Sequence, residues 1–188
     1  VLSSHYQGTP YDPYASYGDK AQRGAFRSIG VNRTDFLSVI QMRPGMEKDS
    51  NILEWVAFAS NAFNVLVPFY ATIDTTPDYL SGTTKEVTTD NFYWVSRMIG
   101  AMADASYRSS VFHIERYQES VMSKGHQLIN QYDVLLEKES DAAKRMALRQ
   151  EANQAIADML KKEASATLDK VLYELSNQMK NSYSRSDA

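Results

Sequence analysis

The stretch FLSVIQMRPGMEKDSNILEWVAFASNAFNVLVPFY, residues 36–70, decides the fold class. Phe36, Ser38, Ile40 and Met42 alternate with Leu37, Val39 and Gln41. Both sets are largely apolar, and a period of two with apolar residues on each face predicts a strand covered on both sides. Leu53 to Ser60 repeats the pattern, with Trp55, Ala57 and Ala59 opposite Val56 and Phe58. Asn64 to Tyr70 predicts another strand, and Asn61-Ala62-Phe63 is a connection short enough for a hairpin. Pro68 cannot donate to a ladder, which places this last strand at an edge or at a bulge. Just upstream, Ser28 to Asn32 reads as one more short strand, with Gly30 marking a bulge or a close backbone approach. Residues 27–73 are therefore expected to be antiparallel strands of a sheet buried on at least one face.

Outward from this stretch the chain divides in two. Residues 1–90 hold all five prolines and six of the eight glycines, so turns are concentrated there. The turn signals include Asp12-Pro13, Arg43-Pro44-Gly45 and Thr76-Pro77-Asp78. Residues 91–181 contain no proline. Phe92, Val95, Met98, Ile99, Met102 and Ala103 recur at helical spacing, predicting a helix over 91–107 with Asp90 as its N-cap. A second helix is predicted from about 110 to 137 and a third from 141 to about 180. The third has a thin apolar stripe through Met146, Ile156, Leu160, Leu168, Leu172, Leu175 and Met179, and a wide charged face. Gly125 weakens the second helix by roughly 1 kcal/mol relative to Ala. Strands followed by helices define an α+β class. The expected organisation is a core over 1–108, a helical extension over 109–181, and a flexible tail over 182–188.

Composition bounds the function. The 188 residues are 43% hydrophobic, enough for one domain with a real core. Twenty Lys+Arg against 23 Asp+Glu give a formal charge of -3, which argues against wrapping nucleic acid. No run of 18 apolar residues predicts a membrane span, and VLSSHYQGTP lacks the pattern of a signal peptide. The chain has no cysteine, which removes disulfides, Cys-ligated zinc and any thiol nucleophile within these residues. His5, His113 and His126 are too scattered for a metal motif. A first residue of Val1 points to processing, or to a piece of something longer.

Three segments carry polar chemistry. His5 to Pro13 is crowded with turn formers and hydrogen-bonding groups. Its Thr9 and Asp12 either satisfy backbone groups or belong to a substrate-facing loop. Arg27 and Arg33 flank the apolar run 28–32. A guanidinium at a strand end either forms a rim salt bridge or binds a carboxylate in bidentate fashion. Asn61 and Asn64 bracket a tight connection, as turn residues or as donors to a developing oxyanion. The residues alone supply no nucleophile–base pair and leave the function unassigned.

The ordered motifs HYQGTPYDPY (5–14), FRSIGVNRT (26–34), IQMRP (40–44), EWVAFASNAFNVLVPFYATIDTTPDYL (54–80) and NFYWVSRMIGAMADASY (91–107) extend the reading. Together they resemble the bacterial dipeptidase A family, cysteine dipeptidases of the N-terminal-nucleophile hydrolase superfamily. The resemblance covers Ser4 to about Tyr107. It implies an αββα fold, of which this chain is similar to the C-terminal portion. It implies amide hydrolysis of dipeptides by an N-terminal Cys whose own α-amino group acts as base. That nucleophile belongs to a half of the family's enzymes absent here, so the chain alone is expected to be inactive. Arg27 is the implied supporting catalytic residue, organising the nucleophile or pairing with a substrate carboxylate. Thr9, Asp12, Arg33, Asn61 and Asn64 are the candidate substrate-binding residues. No cofactor and no metal are implied. The implied partners are a small peptide substrate, the missing N-terminal half and a homo-oligomer formed through the C-terminal helices, with no nucleic acid or membrane, in the cytoplasm. Competing readings are an acylase of the same superfamily, acting on penicillin- or bile-acid-type amides, and a non-catalytic helical interaction module over 110–181.

Overall fold

The computed structural model describes residues 6–7, 9–12, 20–27, 29–31, 33–59 and 61–180. The 182–188 tail lies outside them. The architecture is mixed: a small antiparallel sheet followed by long helices. Strands β1 (Phe36–Met42), β2 (Ile52–Phe58) and β3 (Val67–Tyr70) form a meander in the order β1-β2-β3. Phe36 pairs with Phe58 and Met42 with Ile52, while Leu53 pairs with Tyr70 and Val56 with Val67. Period-two patterning thus located β1 and β2 almost to the residue. Arg43-Pro44-Gly45 turns as expected, with the Met46 N–H donating to the Arg43 carbonyl at 3.0 Å.

Two expectations about strands need correction. The described residues 29–31 form a bend rather than a strand. Gly30 is buried there, and the Val31 carbonyl accepts from the Thr34 N–H at 2.9 Å, closing a turn where a ladder would have run. The second correction concerns β1, which is not covered on both sides. All its residues except the half-buried Leu37 are exposed. Its apolar composition is real, but nothing among the described residues lies over it.

Among the described residues four α-helices follow: α1 (Asp78–Ser81), α2 (Phe92–Ala105), α3 (Tyr107–Lys138) and α4 (Ala142–Ser176). The N-cap of α2 is Asn91, not Asp90. Its Oδ1 accepts from the Tyr93 and Trp94 N–H groups at 3.0 and 3.4 Å, satisfying donors that the first turn leaves free. Asp90 instead accepts from Lys161 on α4 at 3.0 Å. A three-residue link, 139–141, forces α3 and α4 into an antiparallel pair. Asp141 caps α4 through the Lys144 N–H at 2.9 Å. Arg145 caps the other side of the link, donating to the Leu136 and Glu139 carbonyls at the end of α3.

One hydrophobic core runs through sheet and helices. Val67 and Tyr70 of β3, Ile99 of α2, Val121 and Ile129 of α3, and Ile156 and Leu160 of α4 all belong to it. Gly125 has a packing reason that outweighs its helix penalty. A Cβ there would come within 2.9 Å of Pro68 Cδ, so α3 reaches β3 only because this position has no side chain. The buried face of α4 runs through Arg145, Arg149, Ala152, Asn153, Ile156, Leu160, Ala164 and Val171, while Leu172 and Met179 are exposed. The stripe expected from large apolar residues alone is therefore only partly the face that packs. Among the described residues, no helix is long and apolar enough to cross a membrane.

Candidate functional site

The polar loop singled out by composition is folded as two consecutive turns. The Thr9 N–H and hydroxyl both donate to the Tyr6 carbonyl, at 3.1 and 2.6 Å. The Thr9 hydroxyl also accepts from the Tyr11 N–H at 3.2 Å, and the Asp12 N–H donates to the Thr9 carbonyl at 3.1 Å. Tyr6 enters the loop with φ of 60°, a left-handed conformation that a tyrosine adopts only at a cost. Thr9 is thus the organiser of the turn, with its hydroxyl fully used by backbone.

Aromatic packing joins this loop to the second segment. Tyr11 meets Phe26 edge-on with centroids 5.1 Å apart, and Tyr6 meets Tyr11 at 6.1 Å. Asp12 follows Tyr11 and Arg27 follows Phe26, so the fold draws these two candidate residues into one region. Asp12 is buried and Arg27 is exposed. The loop rests on the end of α2 and the start of α3. Gln7 donates to Asp104 of α2. Burial raises the pKa of the Tyr107 phenol, and the charges of Glu115 and Asp12 add to the effect. A cavity of about 280 Å³ opens beside the Gln7–Asp104 contact, lined by Phe63, Trp94, Arg97, Met98, Ala101 and Asp104.

The remaining candidates lie elsewhere or inward. Arg33 is exposed, just past the 29–31 bend. Asn61 opens the short 3-10 turn between β2 and β3, and its side chain lies outside the described residues. Asn64 is buried, and its amide is spent on backbone. Its Nδ2 donates to the Phe58 and Ala59 carbonyls, and its Oδ1 accepts from the Val65 N–H at 2.7 Å. It holds the β2–β3 connection, where Ala59 is left-handed with φ of 49°. His113 pairs with Glu174 at 3.3 Å, and the His126 ring packs on Trp55 at 4.9 Å. Among the described residues, no group of three or more His, Asp or Glu side chains is placed to hold a metal.

Sequence reading missed the contribution of α2. Arg97 and Asp104 are seven residues apart, two turns, and so lie on one helical face. That spacing was legible. The landing of a loop 97 positions upstream on Asp104 was not.

A second polar cluster ties the β1–β2 turn to the tip of the helical pair. Arg145 grips Asp49 with two hydrogen bonds of 2.8 and 2.5 Å, and Arg149 adds a third at 2.5 Å. The hydrogen bond from Arg145 is the main reason that the Asp49 pKa is lowered to about 2. Arg43 pairs with Asp133 at 2.5 Å while lying over the Tyr70 ring, and the Tyr70 hydroxyl donates to the same carboxylate at 2.7 Å. The carboxylates of Asp49 and Asp133 are held by these guanidinium groups, while Arg43 Nε is buried without a hydrogen-bond partner, and the cluster clamps the turn to the helices.

Residues 1–120 match the family model for peptidase family C69. The chain belongs to this family. This C69 chain is 39% identical, over its whole length, to a dipeptidase of Bifidobacterium longum, covering 42% of that protein. It is 39% identical, again over its whole length, to a probable dipeptidase A of Streptococcus pyogenes serotype M18, covering 39% of it. A probable dipeptidase B of Lactococcus lactis is 32% identical over 96% of the chain, which covers 37% of that protein. The C69 chain thus spans about two fifths of the length of the curated relatives it matches.

Proposed function

We propose that this chain is the C-terminal part of a cysteine-type dipeptidase with the αββα architecture of N-terminal-nucleophile hydrolases. The observation that carries the reading is 39% identity, over the whole chain, to a protein named as a dipeptidase. The chain has no cysteine, so the attacking thiol comes from the region of the enzyme that it does not span. The thiol, activated by its own α-amino group, attacks the dipeptide carbonyl. Hydrogen-bond donors stabilise the tetrahedral oxyanion, the amine leaves, and water releases the acyl group from sulfur.

The role proposed for this chain is support of that centre. Arg27 is exposed beside the 6–12 loop, and its planar fork suits either the substrate carboxylate or the surroundings of the thiol. Thr9 and Asp12 act by shaping the loop that packs against Phe26. Arg33 is a further candidate for the peptide carboxylate. Asn61 and Asn64 act at the β2–β3 connection, Asn64 through the backbone it holds.

The test uses the full-length enzyme, which contains this chain together with the rest of a C69 peptidase. Arg27→Ala is expected to lower kcat/KM on dipeptides about a hundredfold, the scale of losing one charge-directed donor. Arg27→Lys should recover only part of the loss, because an ammonium lacks the bidentate fork. A kcat/KM within twofold of the unmodified enzyme in Arg27→Ala would remove Arg27 from the mechanism. Turnover of penicillin- or bile-acid-type amides in preference to dipeptides would reassign the substrate.

A further inference from the structure

The ladder hydrogen bonds of the sheet fix which backbone groups of β1 point outward. The Arg43 N–H donates to the Asn51 carbonyl at 2.8 Å, and the Ala59 N–H donates to the Asp35 carbonyl at 2.9 Å. In an antiparallel pair, bonded positions alternate along the strand. Leu37, Val39 and Gln41 therefore turn their N–H and C=O groups toward β2. Phe36, Ser38, Ile40 and Met42 turn theirs away from the sheet. Among the described residues β1 has no strand partner on that side.

Among the described residues, nothing protects this edge of β1. Natural edges are blunted by lysine, proline, bulges or a covering element. The sequence 36–42 contains no charge and no proline. Phe36, Ile40 and Met42 are 54, 57 and 73% exposed, and Val39 is exposed on the opposite face. A strand that is apolar on both faces and open along one edge has the character of an interior strand.

We propose that the outer edge of β1 accepts one extended strand from the region of C69 peptidases that this chain does not span. This rests on the reading of the chain as part of a C69 dipeptidase. More than half the length of the curated relatives lies outside the matched part, which covers 39–42% of them. That length can supply both a strand for the edge and a layer for the exposed side chains. A second copy of this chain, paired β1 to β1, would satisfy the edge but leave Phe36, Ile40 and Met42 uncovered on their face. The incoming strand is apolar on both faces. It bonds to the outward groups of Ser38, Ile40 and Met42 without disturbing those that β1 shares with β2.

The test compares amide exchange in two proteins. One is the 188-residue chain; the other is a full-length chimaera joining it to the region of the Bifidobacterium longum dipeptidase that it does not span. The amides of Ser38, Ile40 and Met42 are expected to exchange about a hundredfold more slowly in the chimaera, as amides moved from an open edge into a ladder do. Ile40→Pro removes one outward donor. It should lower the Tm of the chimaera and leave that of the 188-residue chain nearly unchanged. If proline unfolds the chain, Ile40→Lys replaces it, placing a charge where the new strand would pack. Equal exchange of the three amides in both proteins overturns the proposal. So does their protection in the 188-residue chain together with a dimer by light scattering, which assigns the edge to a second copy. Dipeptide turnover by the chimaera with unprotected amides overturns the strand addition and leaves the dipeptidase reading standing. Protected amides in a correctly folded chimaera without turnover do the reverse.

Discussion

On the β3 side of the sheet, Pro68 has no N–H to offer, and Asn153 of α4 takes up both outward groups of Tyr70. Its Oδ1 accepts from the Tyr70 N–H at 2.9 Å, and its Nδ2 donates to the Tyr70 carbonyl at 3.0 Å. On the β1 side, four residues offer backbone groups, three of them with apolar side chains, and among the described residues neither a proline nor a helical amide meets them. The two edges belong to the same three strands, yet among the described residues one is finished and the other is not. The difference teaches that a side-chain amide can stand in for a neighbouring strand, and that β1's hydrophobicity has its explanation outside the described residues. The closed edge holds this fold together, and the open edge is where more protein would meet it.

The comparison can be broken most severely at Asn153. Asn153→Ala leaves the N–H and C=O of Tyr70 buried without partners, a loss expected at about 2–5 kcal/mol. Chemical denaturation of the 188-residue chain measures it, and a loss below about 1 kcal/mol would mean that water or backbone movement seals the edge instead. Gly125→Ala attacks the same edge through packing. The new Cβ would press on the Pro68 ring, which the backbone holds in place, and overpacking of this kind costs about 1–3 kcal/mol. Better helix propensity returns about 1 kcal/mol, so a modest net loss is expected, and a gain in the denaturation midpoint would show that α3 can move off β3. Ile40→Lys on the open edge should change the stability of the isolated chain by no more than about 0.5 kcal/mol, as at other exposed sites. A large loss there would mean that β1 is covered after all.

The strands and helices were legible wherever a period repeated over several residues. Residues 36–42 and 53–58 alternate, and the buried residues of α3 recur at three- and four-residue spacing, so both were readable without coordinates. The run 28–32 failed because two apolar residues around a glycine carry too little periodicity to outweigh a local turn. Asp90 and Asn91 are both good caps, and only the position of the oxygen over the first turn chooses between them. On composition Asn64 reads as a turn residue or an oxyanion donor, and in this fold its amide makes three hydrogen bonds to backbone, contacts that no local pattern announces. Within the candidate site, the turn chemistry of residues 6–12 was legible. Its position on Asp104 and beside Phe26 was not, since those contacts join residues far apart in the chain.

By itself the sequence determined the succession of strands and helices, the turn at Arg43-Pro44-Gly45, an edge or bulge position for the proline-bearing strand and the absence of a thiol from these residues. These follow from local sterics, periodicity and composition, which act over a few residues. Only the tertiary structure decided that Arg145, Arg149 and Asn153 sit on the buried face of α4. Polar residues on a helix normally face water, and they turn inward here because the β1–β2 turn and the edge of β3 present a carboxylate and unpaired backbone groups at those positions.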